Sequence, residues 1–272
     1  MQRERYIMNR LREHYKYLLE NYDYKVIYLA LQGSQNYELD VYDDEYKSDI
    51  DTKAIIVPTL KDIVKNKKPV SETIVLPNNE HIDVKDIRVM FDTFKKQNVN
   101  YIEILFTDYY ILNAEYGEYI EDLLKNAELI AHLNYNQALK CMAGMSMEKL
   151  KALQHPYPTI VDKIKKYGYD PKQLHHILRM NDFIKKYVSG KPYKECLIPD
   201  DKEVLIEIKK GKICCGDAVE IANEFDKETH EIMQENLIKE DTINTEAIEL
   251  LDNIKYLIIR KSLKEEVTKC LK

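Results

Sequence analysis

The chain has 272 residues, 44% of them hydrophobic, which is enough for one large or two modest domains with a real core. The chain has 41 lysines and arginines and 47 acidic residues, a formal net charge of −6. This charge excludes a surface that is positive throughout and binds nucleic acid by its overall charge. Five cysteines without a C-x-x-C pair, and no signal peptide, predict a reducing cytoplasm and no structural zinc. No apolar run is long enough for a bilayer, so we expect no membrane partner.

The first elements are predicted from two kinds of hydrophobic pattern. An apolar stripe over 6–22 predicts a helix that packs on a sheet. The apolar run 25–31 then predicts a strand that ends at Gly33 and Ser34, and a second apolar run opens with the sequence 48–51, Ser-Asp-Ile-Asp. Two acids therefore lie at the start of the second predicted strand.

Asp49 and Asp51 are the first candidate functional residues. Because side chains alternate along a strand, the pair is expected to share one face, with Cα atoms roughly 6.5–7 Å apart. Such close carboxylates repel each other unless a cation lies between them, and their hard oxygens suit Mg²⁺ or Mn²⁺ better than zinc. The small Gly33 and Ser34 offer backbone N–H groups and a hydroxyl that can bind phosphate oxygens.

A third acid follows in a predicted hairpin between 72–76 and 80–85, joined by the turn sequence Pro-Asn-Asn. Asp83 alternates with apolar neighbours, as a half-buried strand residue does, whereas Asp86 is better placed to cap the helix that starts at Ile87. A mixed sheet would bring Asp83 alongside the first two acids.

The order of an apolar strand, Gly33-Ser34, a spacer, and Asp49-Ile-Asp51 before another apolar strand resembles the nucleotidyltransferase superfamily of the DNA polymerase β type. That superfamily takes a third carboxylate from a later strand, and the resemblance assigns this role to Asp83. It implies that Asp49, Asp51 and Asp83 are catalytic metal ligands and that Gly33 and Ser34 bind the nucleotide.

Two further segments resemble one branch, the RNA-ligase-associated predicted nucleotidyltransferases. Residues 97–105 are similar to its Gly-Asn-Pro-x-x-x-Glu-x-Leu segment, with Gln97 and Val99 in place of Gly and Pro. In the sequence Tyr-Glu-Leu at 37–39, Glu38 stands where that branch usually has Gly.

The second half is predicted to be helical. Helices are expected over 87–96, 114–131, 134–154, 159–167, 171–188, 201–210, 215–239 and 244–270, and the run 102–112 reads as a strand. A composition shift near residue 110 predicts an α+β protein in two parts. We expect a small mixed-sheet nucleotidyltransferase catalytic domain at 1–110, followed by a helical, substrate-binding bundle at 111–272.

One stretch of the acidic chain is locally basic, with nine lysines and arginines against three aspartates over 160–194. Asp170, followed by a proline, predicts a helix start, and Lys172, His176 and Arg179 then fall on one helix face. Their span of about 10 Å matches a triphosphate or an RNA backbone turn, so the three are predicted to bind the nucleotide. The alternative is a solvated basic face with a histidine in the core.

Together these features predict a Mg²⁺-dependent (or Mn²⁺-dependent) enzyme that transfers a nucleoside monophosphate from a nucleoside triphosphate to an acceptor hydroxyl and releases pyrophosphate. The branch resemblance implies an RNA acceptor, a tRNA or other RNA end, in processing or repair. A protein acceptor, as in AMPylation of a toxin or regulator, and a nucleotide- or RNA-binding module with weak catalysis are the alternatives. P-loop, Rossmann and nucleophile-elbow motifs are absent from the sequence.

Overall fold

The computed structural model of the protein describes residues 2–44, 46–240 and 243–270. These residues form an α+β fold with a five-stranded mixed sheet in the N-terminal half. The strands are β1 (Lys25–Gln32), β2 (Asp51–Val57), β3 (Ser71–Val75), β4 (His81–Asp86) and β5 (Tyr110–Leu112).

The α-helices of the described ranges are α1 (Gln2–Asn21), α2 (Leu60–Val64), α3 (Ile87–Lys95), α4 (Val99–Ile102), α5 (Gly117–Lys125), α6 (Ala127–Ala131), α7 (Tyr135–Ala152), α8 (Val161–Tyr167), α9 (Pro171–Val188), α10 (Tyr193–Leu197), α11 (Lys202–Lys209), α12 (Cys215–Asn236) and α13 (Thr245–Cys270). Short 3₁₀ helices lie at Ser34–Tyr37, Glu103–Leu105 and Ala114–Tyr116. Among the residues that the structure describes, no helix is long and apolar enough to cross a membrane.

The sheet has the order β3-β4-β2-β1-β5. Strands β2 and β4 run parallel, with Lys53 opposite Asp83, while β3 pairs antiparallel with β4. Strand β1 pairs antiparallel with both β2 and β5. The predicted hairpin and the mixed character of the sheet are both confirmed.

One sheet face packs under α1 and forms the core. Ile7, Leu11 and Leu18, spaced by four and seven residues along α1, are fully buried in one cluster with Leu29 of β1 and Ala54 of β2. Burial of such a stripe is what holds an amphipathic helix on a sheet. The opposite face carries polar side chains at the start of β2 and along β4, and the buried Ile55 and Val57 toward the end of β2.

Helix starts follow the expected capping chemistry. Asp86 caps α3 by accepting a hydrogen bond from Arg88 N. Asp170 caps α9 by accepting from Lys172 N, and Pro171 occupies the first turn. Both predictions are confirmed, because a short acid satisfies N–H groups that have no partner within the helix.

The strand predicted over 102–112 is wrong for most of its length. Asn98 accepts a hydrogen bond from Asn100 N and starts α4, which runs into the 3₁₀ helix Glu103–Leu105. Only Tyr110–Leu112 is a strand, β5. A short apolar run suits a buried helix as well as a strand, and here the asparagine cap decides for the helix.

The described residues divide into two compact units, and neither is one continuous segment. The first unit comprises Met1–Gly33, Asp49–Asn134 and Ile243–Lys272, and the second comprises Ser34–Ser48 and Tyr135–Thr242. Helices α5, α6 and α13 therefore belong with the sheet, and α7 to α12 belong to the second unit. The composition shift near residue 110 does not coincide with a division between units, and the functional assignment of 1–110 and 111–272 stays a prediction.

Candidate functional site

The sheet face away from α1 carries a cluster of charged side chains. In the parallel register Lys53 lies opposite Asp83, so alternation puts Asp51 and Lys53 of β2 on the same face as His81, Asp83 and Lys85 of β4. Two neighbouring strands thus bring two acids, two lysines and a histidine together on the first unit.

Asp83 lies at the centre of this cluster and is 8% exposed. Its Oδ2 accepts a hydrogen bond from the Tyr101 hydroxyl at 2.7 Å, and its Oδ1 lies 3.5 Å from Lys85 Nζ. Lys53 Nζ is 3.9 Å from Oδ2. The Tyr101 ring also lies under both ammonium groups, 4.5 Å from that of Lys53 and 5.0 Å from that of Lys85. Asp83 is therefore surrounded by positive charge.

Lys53 is the functional candidate that the sequence interpretation missed. It is only 4% exposed, and desolvation lowers the pKa of its ammonium to about 8, against the opposing attraction of Asp83. A buried lysine whose pKa is lowered by desolvation beside an acid is a candidate functional group. Its position two residues after Asp51, on the same strand face, was the available signal.

Asp51 begins β2 and is held by β4. Its Oδ1 accepts a hydrogen bond from His81 N at 2.8 Å and lies 3.1 Å from His81 Nδ1. Asp49 precedes the strand and is exposed. Strand alternation therefore does not place Asp49 on the same face as Asp51, and the role of Asp49 stays a prediction.

A buried polar network fixes the start of β2, and the sequence interpretation missed it too. Glu80 Oε2 lies 2.9 Å from His14 Nε2 and accepts a hydrogen bond from Arg10 Nε at 3.1 Å. Its other oxygen accepts from Ile50 N at 3.3 Å, while His14 Nδ1 lies 2.9 Å from Thr52 Oγ1. Helix α1 thus positions the residues on both sides of Asp51.

Gly33 follows directly after Gln32, the β1 residue that pairs with Asp51. Its φ of 96° is in the left-handed region, and a Cβ placed on it would meet nothing within 4 Å. A ligand can therefore approach this backbone closely. Ser34 begins the 3₁₀ helix Ser34–Tyr37 and is half-buried, and its phosphate-binding role stays a prediction.

Two residues that replace glycines of the resembling branch keep a glycine-like backbone. Glu38 has φ 59° and Gln97 has φ 55°. The left-handed region is unfavourable for side chains other than Gly, Asn and Asp. Gln97 is held there by hydrogen bonds from its Nε2 to Phe94 O and Ile130 O.

The three residues predicted as a nucleotide-binding stripe on α9 differ in exposure. Lys172 is exposed and His176 is half-buried, whereas Arg179 is 3% exposed and lies over the Tyr37 ring, 4.0 Å from its centroid. Desolvation lowers the pKa of His176 well below its usual value, which favours the neutral imidazole. They therefore do not form one uniformly exposed basic face, and their predicted roles stay predictions.

The donor chemistry of the first unit fits a hard divalent cation. Carboxylate oxygens are the ligands that Mg²⁺ and Mn²⁺ prefer, and the buried ammonium of Lys53 interacts electrostatically with both Asp51 and Asp83. The two carboxylates thus already share one positive charge at this position. Within the described ranges, no three His, Cys, Asp or Glu side chains are arranged as a ready-made metal site.

Neither the models of known protein families nor the curated proteins match this chain. Functional inference therefore depends on the motif residues and on where the fold places them.

Proposed function

We propose that this protein is a divalent-metal-dependent nucleotidyltransferase. It transfers a nucleoside monophosphate from a nucleoside triphosphate to an acceptor hydroxyl and releases pyrophosphate. Mg²⁺ is the expected metal and Mn²⁺ the expected substitute, because the donors are carboxylates.

The observation that carries the proposal is the shared face of Asp51 and Asp83. The two acids lie on neighbouring parallel strands, two residues apart in register, and the open left-handed backbone of Gly33 lies next to the start of β2. Carboxylates beside a backbone that a ligand can approach closely suit metal-assisted chemistry on a phosphate.

Each side chain has a role in this proposal. Asp49, Asp51 and Asp83 would hold divalent cations, which would supply positive charge at the reacting phosphate. Gly33 and Ser34 would bind phosphate oxygens. Other side chains keep the carboxylates in position.

Those positioning groups come from α4, from the start of β4 and from the residue just before β4. Tyr101 orients Asp83 through its hydroxyl, and His81 orients Asp51. Glu80 fixes the backbone at Ile50. Such surrounding hydrogen bonds hold reacting groups in one geometry and are as necessary as the groups themselves.

The acceptor in this proposal is an RNA end, as the branch resemblance implies. A protein hydroxyl is the alternative acceptor. Transfer to RNA and transfer to protein each attach the nucleotide to a macromolecule, so one assay with a labelled nucleotide distinguishes the two acceptors.

A binding module with weak catalysis is a second candidate, and a specific observation favours it. Asp83 already has a hydroxyl partner and two ammonium neighbours. A carboxylate that already interacts with a hydroxyl donor and two positive charges is stabilised less by a metal ion than an unpaired carboxylate is. In that case nucleotide binding persists without transfer.

The decisive experiment incubates the protein with each α-labelled nucleoside triphosphate, with Mg²⁺ or Mn²⁺, and with total RNA or a protein lysate. We expect the label to be attached to RNA, so that ribonuclease releases the label and protease does not. Label released only by protease would identify a protein acceptor instead. Triphosphate binding without label on either fraction would support the binding module.

Matched variants test the assignment of the acids. Asp51→Asn and Asp83→Asn are each expected to lower transfer by at least about 100-fold at saturating metal, because each removes a metal-facing charge. Asp92→Asn on the exposed face of α3 removes one charge outside the cluster and is the control. Near-full activity of Asp51→Asn would refute the metal assignment.

A further inference from the structure

A second cluster of charge lies wholly within the second unit, around a cavity of about 260 Å³. The cavity is bordered by α8, the start of α9 and the end of α11, together with Tyr46 from the segment 34–48. Five lysines and two aspartates contribute to its lining. This concentration of lysines is unlike the acidic chain as a whole.

The two aspartates leave most of these lysines unneutralised, because among the described lining lysines only Lys163 lies near one of them, with its Nζ 4.0 Å from Asp170 Oδ1. Asp170 is 1% exposed, and its carboxylate accepts from Lys172 N at 3.1 Å and Gln173 Nε2 at 2.9 Å, so it is committed to the helix cap. Asp162 is almost fully exposed and lies 3.9 Å from Lys165 Nζ. The cavity therefore keeps an excess of positive charge.

Two of the lysines organise the cavity wall. Lys209 is buried, donates to Leu39 O and Ser48 Oγ at 3.2 Å each, and lies 4.8 Å from the centroid of the Tyr46 ring. Lys210 Nζ lies 2.6 Å from Asp43 Oδ2. These contacts attach the segment that carries Tyr46 to the end of α11.

Two other lysines are exposed, namely Lys172 and Lys166, whose Nζ lies 4.7 Å from the centroid of the Tyr167 ring. Lys166 and Lys172 form no ion pair with any acid in the part of the chain that the structure describes. Two ammonium groups match the charge of a phosphomonoester, about −1.5 to −2 at neutral pH. Lysine binds phosphate as a point charge with three donors.

Aromatic rings complete the cavity. Tyr46 and Tyr167 both line it, and the Tyr167 ring packs so closely on Gly211 that a Cβ there would lie 2.5 Å from a ring carbon. A ring held against backbone is a firm surface for stacking a base. The cavity is slightly smaller than a typical drug-sized site of about 300–1,000 Å³, so its occupant is at most one nucleotide.

We propose that this cavity is a binding site for the phosphomonoester of a single nucleotide, with Lys166 and Lys172 on the phosphate and Tyr46 and Tyr167 beside the base. The nucleotide is either a free nucleoside monophosphate or the phosphorylated end of an RNA. This site goes beyond the proposed nucleotidyl transfer and does not depend on it.

Isothermal titration of the full chain with adenosine monophosphate tests the proposal. We expect one site, with adenosine and inorganic phosphate each binding at least about tenfold more weakly, because each lacks half of the recognised groups. Inorganic phosphate binding as tightly as the nucleotide would overturn the role of the tyrosines. Failure of both the nucleotide and a 5′-phosphorylated RNA trimer to bind would overturn the site.

Lysine variants locate the binding. Lys166→Ala and Lys172→Ala are each expected to weaken binding about tenfold, and the double variant to abolish it. Lys140→Ala, an exposed lysine of α7 outside the cavity, is the control. Parent-like binding by the double variant, with an unchanged melting curve, would overturn the proposal.

Two further measurements identify the source of the ligand and distinguish this site from the proposed site of nucleotidyl transfer. A 5′-phosphorylated RNA trimer that binds more tightly than the monophosphate, and more tightly than its 5′-hydroxyl form, identifies an RNA end. Equal affinity of the trimer and the monophosphate identifies the free nucleotide. Asp51→Asn is expected to bind the monophosphate as the parent does, so loss of transfer and loss of this site are distinguishable.

Discussion

The buried network around Glu80 makes the stability of the first unit sensitive to acid in a defined way. Burial by itself raises the pKa of Glu80, but hydrogen bonds from His14 and Arg10 outweigh it and bring the pKa down from 4.5 to about 2. One pKa unit corresponds to about 1.4 kcal/mol, so this shift corresponds to about 3 kcal/mol of folding free energy.

The sign follows from proton uptake. Below pH 4.5 the unfolded chain protonates this carboxyl while the folded protein still keeps it ionised down to pH 2. The stabilisation is therefore complete above pH 4.5 and is lost as the pH falls toward 2. Glu80→Gln removes the charge and keeps an oxygen for Ile50 N, so it is expected to be less stable by about 3 kcal/mol at pH 7.

Urea unfolding followed by far-ultraviolet circular dichroism at a series of pH values between 7 and 2 measures this difference. The two curves are expected to converge as the pH falls to about 2, where the folded parent has begun to protonate Glu80 and most of the stabilisation is gone. Glu13→Gln is the control, because Glu13 also pairs with Arg10 but is 60% exposed and is expected to contribute less than about 1 kcal/mol. A difference between parent and Glu80→Gln that stays constant with pH would refute the reasoning.

Further substitutions test the backbone and the phosphate-binding turn. Glu38→Gly relieves left-handed strain but also removes the exposed ion pair with Lys202, so in urea unfolding it is expected to change stability by less than about 1 kcal/mol. Gln97→Gly loses two buried hydrogen bonds and is expected to be clearly more destabilising. Equal responses of the two variants would contradict the strain argument. Gly211→Ala is expected to lower stability by about 1–3 kcal/mol, because a methyl group meets the Tyr167 ring, and an unchanged urea midpoint would contradict that contact. In transfer assays, Ser34→Ala is expected to raise KM for the triphosphate more than it lowers kcat, and unchanged kinetics would exclude a phosphate role.

Features encoded by neighbouring residues could be predicted from the sequence. The caps Asp86 and Asp170 depend on an acid placed just before a helix, and the hairpin of β3 and β4 depends on its turn residues. Each of these involves contacts within a few residues, where local geometry leaves few choices. The mixed sheet is different, because it depends on the parallel pairing of β2 with β4, which local pattern permits but does not require.

The tertiary structure alone decided the surroundings of the candidate site. Lys53 and Asp83 are thirty residues apart and meet only through the parallel register of β2 and β4, while Tyr101 reaches Asp83 from the short helix α4. Likewise, the burial of Arg179 against Tyr37 depends on packing between distant segments. Register and packing are settled by the summed burial of many side chains, so no local pattern determines which charges become neighbours.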